Sequence, residues 1–140
     1  MTKNYKILSK YIKDLSSETP DLETYLFVRD NISKYHLNIE ITSKALKDKI
    51  VDINTTLKFE DKNDSKKKSF FEIVFSTIIK VGEEIKNKQD LEKIILCDAQ
   101  KEIYPDLEKS FLDLLSNSGY PGIKFEKRID FEELYNRRFN

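Results

Sequence analysis

Apolar residues recur at every second position through much of residues 5–81, and this alternation restricts the fold more than any other feature of the chain. A period of two is that of a β-strand, whose successive side chains point to opposite faces. We therefore predict four strands, which begin near Tyr5, Leu37, Val51 and Phe70. The second and third runs have a polar opposite face, as half-buried antiparallel strands do. Polar turns are predicted over 16–20 and 61–68.

The fourth run differs from the others because both of its faces carry apolar residues. One face consists of Phe71, Ile73 and Phe75. On the other face, Phe70 and Val74 flank Glu72. An interior strand with a partly covered second face would explain this mixture and is the more common case. The alternative is an exposed docking patch.

The C-terminal half changes to helical spacing. Asp90 precedes the first helical apolar residues and is predicted to be an N-cap. Pro105 suits the first position of a second helix, because the N–H that proline lacks would have no helical partner there. That helix has an apolar stripe, which consists of Leu107, Phe111, Leu114 and Leu115. Gly119 is predicted to end it in a left-handed conformation. A loop over 120–127 then leads to a short final helix, which carries Phe131, Leu134 and Tyr135.

Composition excludes several classes of function. With 140 residues, the chain is predicted to be a single domain, 1–140. Its 25 basic and 25 acidic residues give a formal net charge of zero, which argues against a general binder of nucleic acid or membrane surfaces. Cys97 is the only cysteine, so no internal disulfide forms. No segment approaches the ~20 apolar residues of a membrane span, and no signal peptide is recognisable. We therefore expect a soluble protein of a reducing compartment.

The sequence lacks the patterns of catalytic and cofactor sites. His36 and Cys97 are far apart, so no metal site is predicted, and nothing around them supports a Cys-His nucleophile pair. The three glycines form neither a phosphate-binding loop nor a dinucleotide fingerprint. The run Lys66–Lys68 has acidic neighbours, which argue against a nucleic-acid groove. An enzyme and a nucleic-acid binder therefore rank low, and no cofactor is predicted.

Aromatic residues are the remaining signal. Phenylalanine and tyrosine make up 11% of the chain, and five of them fall where loops are predicted: Tyr25, Phe27, Tyr35, Tyr120 and Phe125. Singly, such residues pin loops to a core. Together, aromatic residues on two loops can line a groove for apolar peptide segments, because they bury a large area at low entropic cost.

Several motifs occur in the order and spacing of a known family. The segment Tyr11–Pro20 resembles the pattern Tyr-x-Lys-Asp-hydrophobic-Ser-Phe-Glu-x-Pro. Tyr104-Pro105 and Tyr120-Pro121 resemble two Phe-Pro pairs at the same separation. The segment Ile129–Tyr135 resembles the closing motif Ile-Asp-Phe-x-x-Leu-Tyr. Together these motifs resemble the SecB family of bacterial protein-export chaperones over nearly the whole chain.

The resemblance implies an α+β fold, with a four-stranded antiparallel sheet and C-terminal helices. It implies a protomer of a homotetramer that is a dimer of dimers. The implied function is a cytoplasmic holdase, which binds unfolded precursor proteins without ATP and delivers them to the translocation ATPase SecA. A SecB-like chaperone dedicated to another client, such as a toxin–antitoxin system, is the alternative.

The resemblance also assigns residues to sites. SecA-contacting positions of the family match Asp14, Glu18, Phe70 and Glu72. The opposite face of the fourth strand matches positions for packing and assembly, namely Phe71, Ile73 and Phe75. The loops that flank the substrate groove match the segment after Pro20 and the segment 120–127. These segments contain the candidate groove residues Tyr25, Phe27, Tyr120 and Phe125.

The chain departs from the family pattern at three places in the sequence and in its net charge. Ser17 stands where the family usually has Phe, and Ser76-Thr77 replaces a common glycine-containing turn. Lys127-Arg128 precedes Ile129 where Asp-Pro is usual. The chain is also neutral where the family is acidic, which weakens long-range steering toward a basic partner.

Overall fold

The computed structural model describes residues 4–62, 67–125 and 128–139, and it contains one antiparallel sheet with the strand order β1-β4-β3-β2. The strands are β1 (Tyr5–Glu18), β2 (Tyr35–Ala45), β3 (Ile50–Asp61) and β4 (Phe70–Val81). The helices are α1 (Leu22–Asp30), α2 (Lys88–Lys93), α3 (Ala99–Asn117) and α4 (Phe131–Phe139). Short 3-10 turns lie at Ile32–Lys34 and Lys47–Lys49. The predicted α+β fold, with a four-stranded antiparallel sheet and C-terminal helices, is confirmed.

The core lies between α3 and one face of the sheet, which we call the inner face. The predicted packing residues of β4 are all buried on this face, namely Phe71, Ile73 and Phe75. The buried stripe of α3 has a four-residue spacing and consists of Ile103, Leu107, Phe111 and Leu115. Such spacing keeps side chains on one slowly winding side of a helix. Leu114, which the spacing placed in the stripe, is only partly buried.

The first strand is longer than predicted. It continues to Glu18, through residues that were expected to form turns. Leu8 and Lys13 each lie at a shift in the pairing with β4. Such a β-bulge adds one residue and thereby reverses the face of the residues that follow it. Uninterrupted alternation would place Tyr11 on the side of Tyr5, but Tyr11 pairs with Ser76 on the outer face of the sheet.

The segment after β1 forms a helix and not the predicted loop. Asp21 caps α1, because its Oδ1 accepts a hydrogen bond from the Thr24 backbone N–H at 2.8 Å. At the other end, the Asn31 backbone N–H donates to carbonyl groups of the last turn. Tyr25 and Phe27 therefore lie on a helix. The loop prediction was wrong because α1 carries apolar residues on both its buried and its exposed sides, so no apolar stripe marks it as a helix.

The C-terminal helices begin earlier than predicted. The Asp90 backbone N–H donates to Asn87 Oδ1 at 2.7 Å, so Asn87 and not Asp90 is the N-cap. Helical backbone then continues from α2 through a π-helical turn, Ile94–Asp98, into α3. Pro105 is consequently inside α3 and not at the first position of a helix. The position of a proline in the sequence does not show whether the residues before it are already helical.

The end of α3 follows the prediction. Gly119 has a φ of +101°, which belongs to the left-handed region. The Tyr120 N–H donates to the Leu115 carbonyl at 3.0 Å, and the Gly119 N–H donates to the Ser116 carbonyl at 3.1 Å. These two bonds form a Schellman motif, which satisfies the last carbonyl groups of a helix. The predicted loops over 61–68 and 120–127 include residues 63–66 and 126–127, which lie outside the described residues.

Candidate functional site

The first candidate site is a patch on the outer face of the sheet. We call it the outer-face patch, and it consists of Asp14, Glu18, Phe70 and Glu72. Glu18 pairs with Phe70, and Ser16 pairs with Glu72, so the side chains of these β1 and β4 residues share a face. Phe70 is 45% exposed. The structure therefore brings together the four residues that the resemblance implies for SecA.

The β-bulge at Lys13 decides which residues of β1 belong to the outer-face patch. Ile12 pairs on the inner face, and without an extra residue Asp14 would share that face. The bulge moves Asp14, and with it Glu18, to the outer face. Lys13 itself reaches across this face, where its Nζ donates to Asn54 Oδ1 at 3.3 Å. In the sequence, only the acidic residues of the segment Tyr11–Pro20 point to this site, because the spacing of residues does not reveal a bulge.

The second candidate site is a cluster of aromatic rings beneath α1. We call it the aromatic cluster, and it consists of Tyr25, Tyr35, Phe59, Phe71, Phe111, Tyr120 and Phe125. Ring centroids of neighbouring members lie 5.3–6.3 Å apart, within the range of favourable aromatic contact. Three of the four predicted groove residues belong to this cluster. The fourth, Phe27, lies outside it on the exposed side of α1.

Tyr25 joins α1 to the end of α3. Its Oη donates to the Gly119 carbonyl at 2.9 Å, and its ring centroid lies 5.3 Å from that of Tyr120. Tyr120 is only 4% exposed, and its ring meets Phe71 edge-on at 5.5 Å. In this conformation the predicted groove residues Tyr25 and Tyr120 therefore pack on each other, as residues that pin a segment to a core do.

Hydroxyl groups link the segments around the aromatic cluster. Tyr35, predicted in a loop, begins β2, and its Oη accepts a hydrogen bond from the Ser69 N–H at 3.2 Å. Ser69 Oγ lies 2.7 Å from Thr19 Oγ1 and 3.5 Å from Tyr120 Oη. Burial raises the pKa of Tyr35 above its ordinary value, so this phenol stays neutral. A set of hydrogen-bonded hydroxyl groups therefore borders the aromatic cluster.

The third candidate site is a cleft of about 860 Å³ between α3 and the segment that enters α4. Its apolar lining consists of Tyr104, Pro105, Phe125, Ile129 and Phe131. Phe125 also belongs to the aromatic cluster, so the two sites adjoin. Lys101 and Glu132 line the cleft as well, and Lys101 Nζ lies 2.8 Å from Glu132 Oε1.

Sequence reasoning did not identify this cleft as a site. Tyr104 and Phe131 stood in the motifs that carry the resemblance, but their spacing does not show that the chain returns to α3 after 120. Their ring centroids lie 5.4 Å apart. Burial, and secondarily the nearby Glu108 carboxylate, raise the pKa of Tyr104 far above its ordinary value. Its hydroxyl therefore remains protonated at any physiological pH.

The fourth feature is the open edge of β1. Within the described residues, β1 pairs with β4 alone, so the backbone groups along its other edge have no strand partner. Large apolar side chains are exposed along the strand, namely Leu8, Tyr11, Ile12 and Leu15. Soluble proteins rarely leave such an edge uncovered, because it pairs readily with another strand.

The described residues show no metal cluster and no membrane-spanning helix. Among them, no group of three or more His, Cys, Asp and Glu residues is placed to hold a metal ion. None of their helices is long and apolar enough to cross a membrane. His36 is exposed near the start of β2. Cys97 is buried, and burial raises the pKa of its thiol.

Comparisons with known proteins agree on one family. The family model described as preprotein translocase subunit SecB matches residues 1–140. The chain is similar to the putative protein-export protein SecB of Pelagibacter ubique (strain HTCC1062), with 60% identity over 140 residues and full coverage of both chains. It is also similar to the protein-export protein SecB of Parvibaculum lavamentivorans, with 26% identity over 135 residues, which are 95% of this chain and 77% of that protein.

Among solved structures, the fold is similar to that of the Mycobacterium tuberculosis Rv1957 SecB-like chaperone. That structure is a complex with a ChAD peptide from the Rv1956 HigA1 antitoxin. The TM-score is 0.62 at 12% identity, and the match covers 89% of this chain and 91% of that chain. At this identity the likeness concerns the fold alone.

Proposed function

Because the chain belongs to the SecB family over all 140 residues, we propose that it is an export chaperone that works without ATP. It holds unfolded precursor proteins in the bacterial cytoplasm and delivers them to SecA. The family match over the full length of the chain is the observation that carries this proposal. The site residues below extend the proposal to particular surfaces.

Clients bind at the cleft and at the adjoining aromatic cluster. The cleft offers an apolar lining with charged neighbours, which suits apolar stretches of an unfolded chain that also contain polar residues. Each contact of this kind is weak, and several along one chain add up through effective concentration. Of the candidate groove residues, Tyr120 and Phe125 belong to this surface, whereas Tyr25 and Phe27 lie on α1.

SecA docks on the outer-face patch. The patch combines three carboxylates with Phe70, a large apolar residue exposed on a sheet face that is otherwise mostly polar. A docking partner would need a basic surface with an apolar contact at its centre, because complementary charge gives specificity and buried apolar area gives affinity.

The protein assembles as a homotetramer, a dimer of dimers. The open edge of β1 supports this proposal, because pairing with a second copy would satisfy its backbone groups and cover its exposed apolar side chains. The inner-face residues Phe71, Ile73 and Phe75 support the assembly indirectly, since they fix the sheet on α3.

Client binding is tested by light scattering from an aggregating, chemically unfolded precursor. We expect a few-fold molar excess of the protein to suppress aggregation equally with and without ATP. Ile129→Asp should weaken this suppression, because it places a charge in the cleft. Leu46→Asp is the matched control, since Leu46 is an exposed apolar residue in the β2–β3 connection. Unsuppressed aggregation by the unmodified protein would contradict the holding function.

The SecA site is tested by charge reversal. We expect Glu72→Lys to weaken SecA binding by about tenfold or more, measured by calorimetry. Glu40→Lys is the control, because Glu40 is an exposed carboxylate on the same face, on the far strand β2. If both variants bind SecA like the unmodified protein, the outer-face patch is not the docking site.

A chaperone for a toxin–antitoxin system is the second candidate function. The Rv1957 complex is the observation in its favour, although that likeness concerns the fold alone. The balanced charge of the chain is compatible with either client. A toxin–antitoxin pair in the neighbouring genes, together with binding of the antitoxin and not of exported precursors, would favour this candidate.

A further inference from the structure

Few contacts hold α1 to the rest of the fold. The helix has nine residues, of which only Thr24 and Val28 are buried. Leu22 is 70% exposed, and Leu26 and Phe27 are also exposed. A helix of this length is not stable in water without tertiary support. Because so little of its surface is buried, α1 belongs to the parts of a fold that open at low cost.

The most specific contact of α1 is made by Tyr25. Besides its hydrogen bond to the Gly119 carbonyl, the Tyr25 ring packs directly on the Gly119 backbone. A Cβ atom at position 119 would lie only 2.6 Å from Tyr25 Cε1. The one ion pair of α1 with another described segment, Glu23 to Lys67 at 3.6 Å, is exposed and contributes little.

An apolar surface lies under this contact. The Tyr25 ring covers Tyr120, which packs on Phe71. From there the aromatic cluster continues through Phe59 to Phe125, which also lines the cleft. Detachment of α1 would therefore uncover Tyr120, which the aromatic cluster connects to the cleft.

We propose that α1 is a detachable cover of the client surface, and that a client chain competes with Tyr25 for the place beside Tyr120. This inference rests on the proposed holding function. In the closed form, Tyr25 occupies the place beside Tyr120 that an aromatic residue of a client would take. Its ring packs on the Tyr120 ring, and its hydroxyl donates to the Gly119 carbonyl. The apparent client affinity is then reduced by the small fraction of molecules in which α1 is detached.

Tyr25→Phe tests the cover, because it deletes the hydrogen bond and keeps the ring. One such bond changes an equilibrium by about twofold to tenfold. We expect the amides of residues 22–31 to exchange hydrogen faster by that factor, while those of β3 are unchanged. The affinity for an unfolded precursor should rise by up to the same factor. Tyr135→Phe is the control, because it also deletes a hydrogen bond from a tyrosine hydroxyl to a backbone carbonyl, that of Gln89, but lies outside the aromatic cluster.

Bound client gives the second measurement. If clients displace Tyr25, saturation with an unfolded precursor accelerates exchange in 22–31. Exchange in α1 as slow as in β3, or protection of α1 by bound client, would overturn the inference while leaving the holding function intact. If instead the amides of α1 exchange readily but no precursor binds, the proposed function fails, and the competition at Tyr25 fails with it.

Discussion

Gly119 meets two structural requirements at once. Its positive φ ends α3, and its missing side chain lets the Tyr25 ring approach the backbone. The first requirement was predictable, because a glycine after an apolar stripe is typical of a helix C-terminus. The second was not, because Tyr25 lies 94 residues earlier in the sequence. Local patterns reveal conformations, whereas contacts between distant residues depend on the whole fold.

Two glycine substitutions separate these requirements. Gly119→Ala and Gly122→Ala both place alanine at a positive φ, which costs about 1–2 kcal/mol. Only Gly119→Ala also displaces a ring, since no atom lies within 4 Å of a Cβ at Gly122. We expect Gly119→Ala to lower the free energy of unfolding by roughly 1 kcal/mol more than Gly122→Ala, measured in urea. Equal losses in the free energy of unfolding would show that the Tyr25 ring can move away from position 119 without destabilising the fold.

Buried hydroxyl groups give a second pair of substitutions. Thr55 Oγ1 donates to Gln100 Oε1 at 3.0 Å in the core, so Thr55→Val leaves a buried acceptor unpaired and should cost about 1–3 kcal/mol. Thr77 Oγ1 is buried with no hydrogen-bond partner among the described residues. Thr77→Val should therefore be neutral or stabilising. Thermal unfolding of both variants checks the sign, and a comparable loss at Thr77 would contradict this assignment.

At the scale of elements, patterns succeeded where one face is buried. β3 alternates between buried and partly exposed residues along nearly its whole length, so its period was visible in the sequence. α1 gave no such signal, because its exposed side carries Leu22 and Phe27 while its buried side carries Thr24 and Val28. The proposed SecA-contacting residues came from family resemblance, and only the structure shows the bulge that places them on one face.

The cap of α1 supplies a pH-dependent prediction. The hydrogen bond from the Thr24 N–H holds the pKa of Asp21 below its ordinary value, so the folded state favours the carboxylate. The cap therefore stabilises α1 at neutral pH and is lost as the pH falls through this lowered pKa. We expect Asp21→Ala to accelerate hydrogen exchange in 22–31 at pH 7. The ratio of variant to unmodified rates should approach one in strong acid, and a ratio independent of pH would contradict the assignment.

At the scale of the whole molecule, packing within the chain leaves part of the sheet uncovered. Its inner face is packed on α3, whereas the β1 edge ends in unpaired backbone and exposed apolar residues. Composition gave no sign of this, because an average apolar fraction does not tell which side chains the fold leaves outside. The expected tetramer came from family resemblance, and the uncovered edge is the physical reason to expect association.

Assembly is tested by solution mass and one matched pair of variants. We expect a mass near four times the 16.6 kDa of one chain. Leu15→Lys should lower it, because a buried interfacial lysine would lose its hydration. Leu46→Lys is the control, since Leu46 is 48% exposed and Leu15 is 47% exposed, but only Leu15 lies on β1. Light scattering after gel filtration measures both, and an unchanged mass for Leu15→Lys would remove β1 from the interface.

Pairing of a second copy with the open edge of β1, as proposed, would make the stability of the fold depend on the concentration of the protein. When a partner copy completes a fold, stability follows protomer concentration by mass action. A newly synthesised chain that meets no second copy keeps a 14-residue strand with apolar side chains available to any extended polypeptide. Such a chain displays the kind of surface that a holdase recognises. We therefore expect an unassembled copy of the chain to compete with unfolded precursors for the proposed client surface.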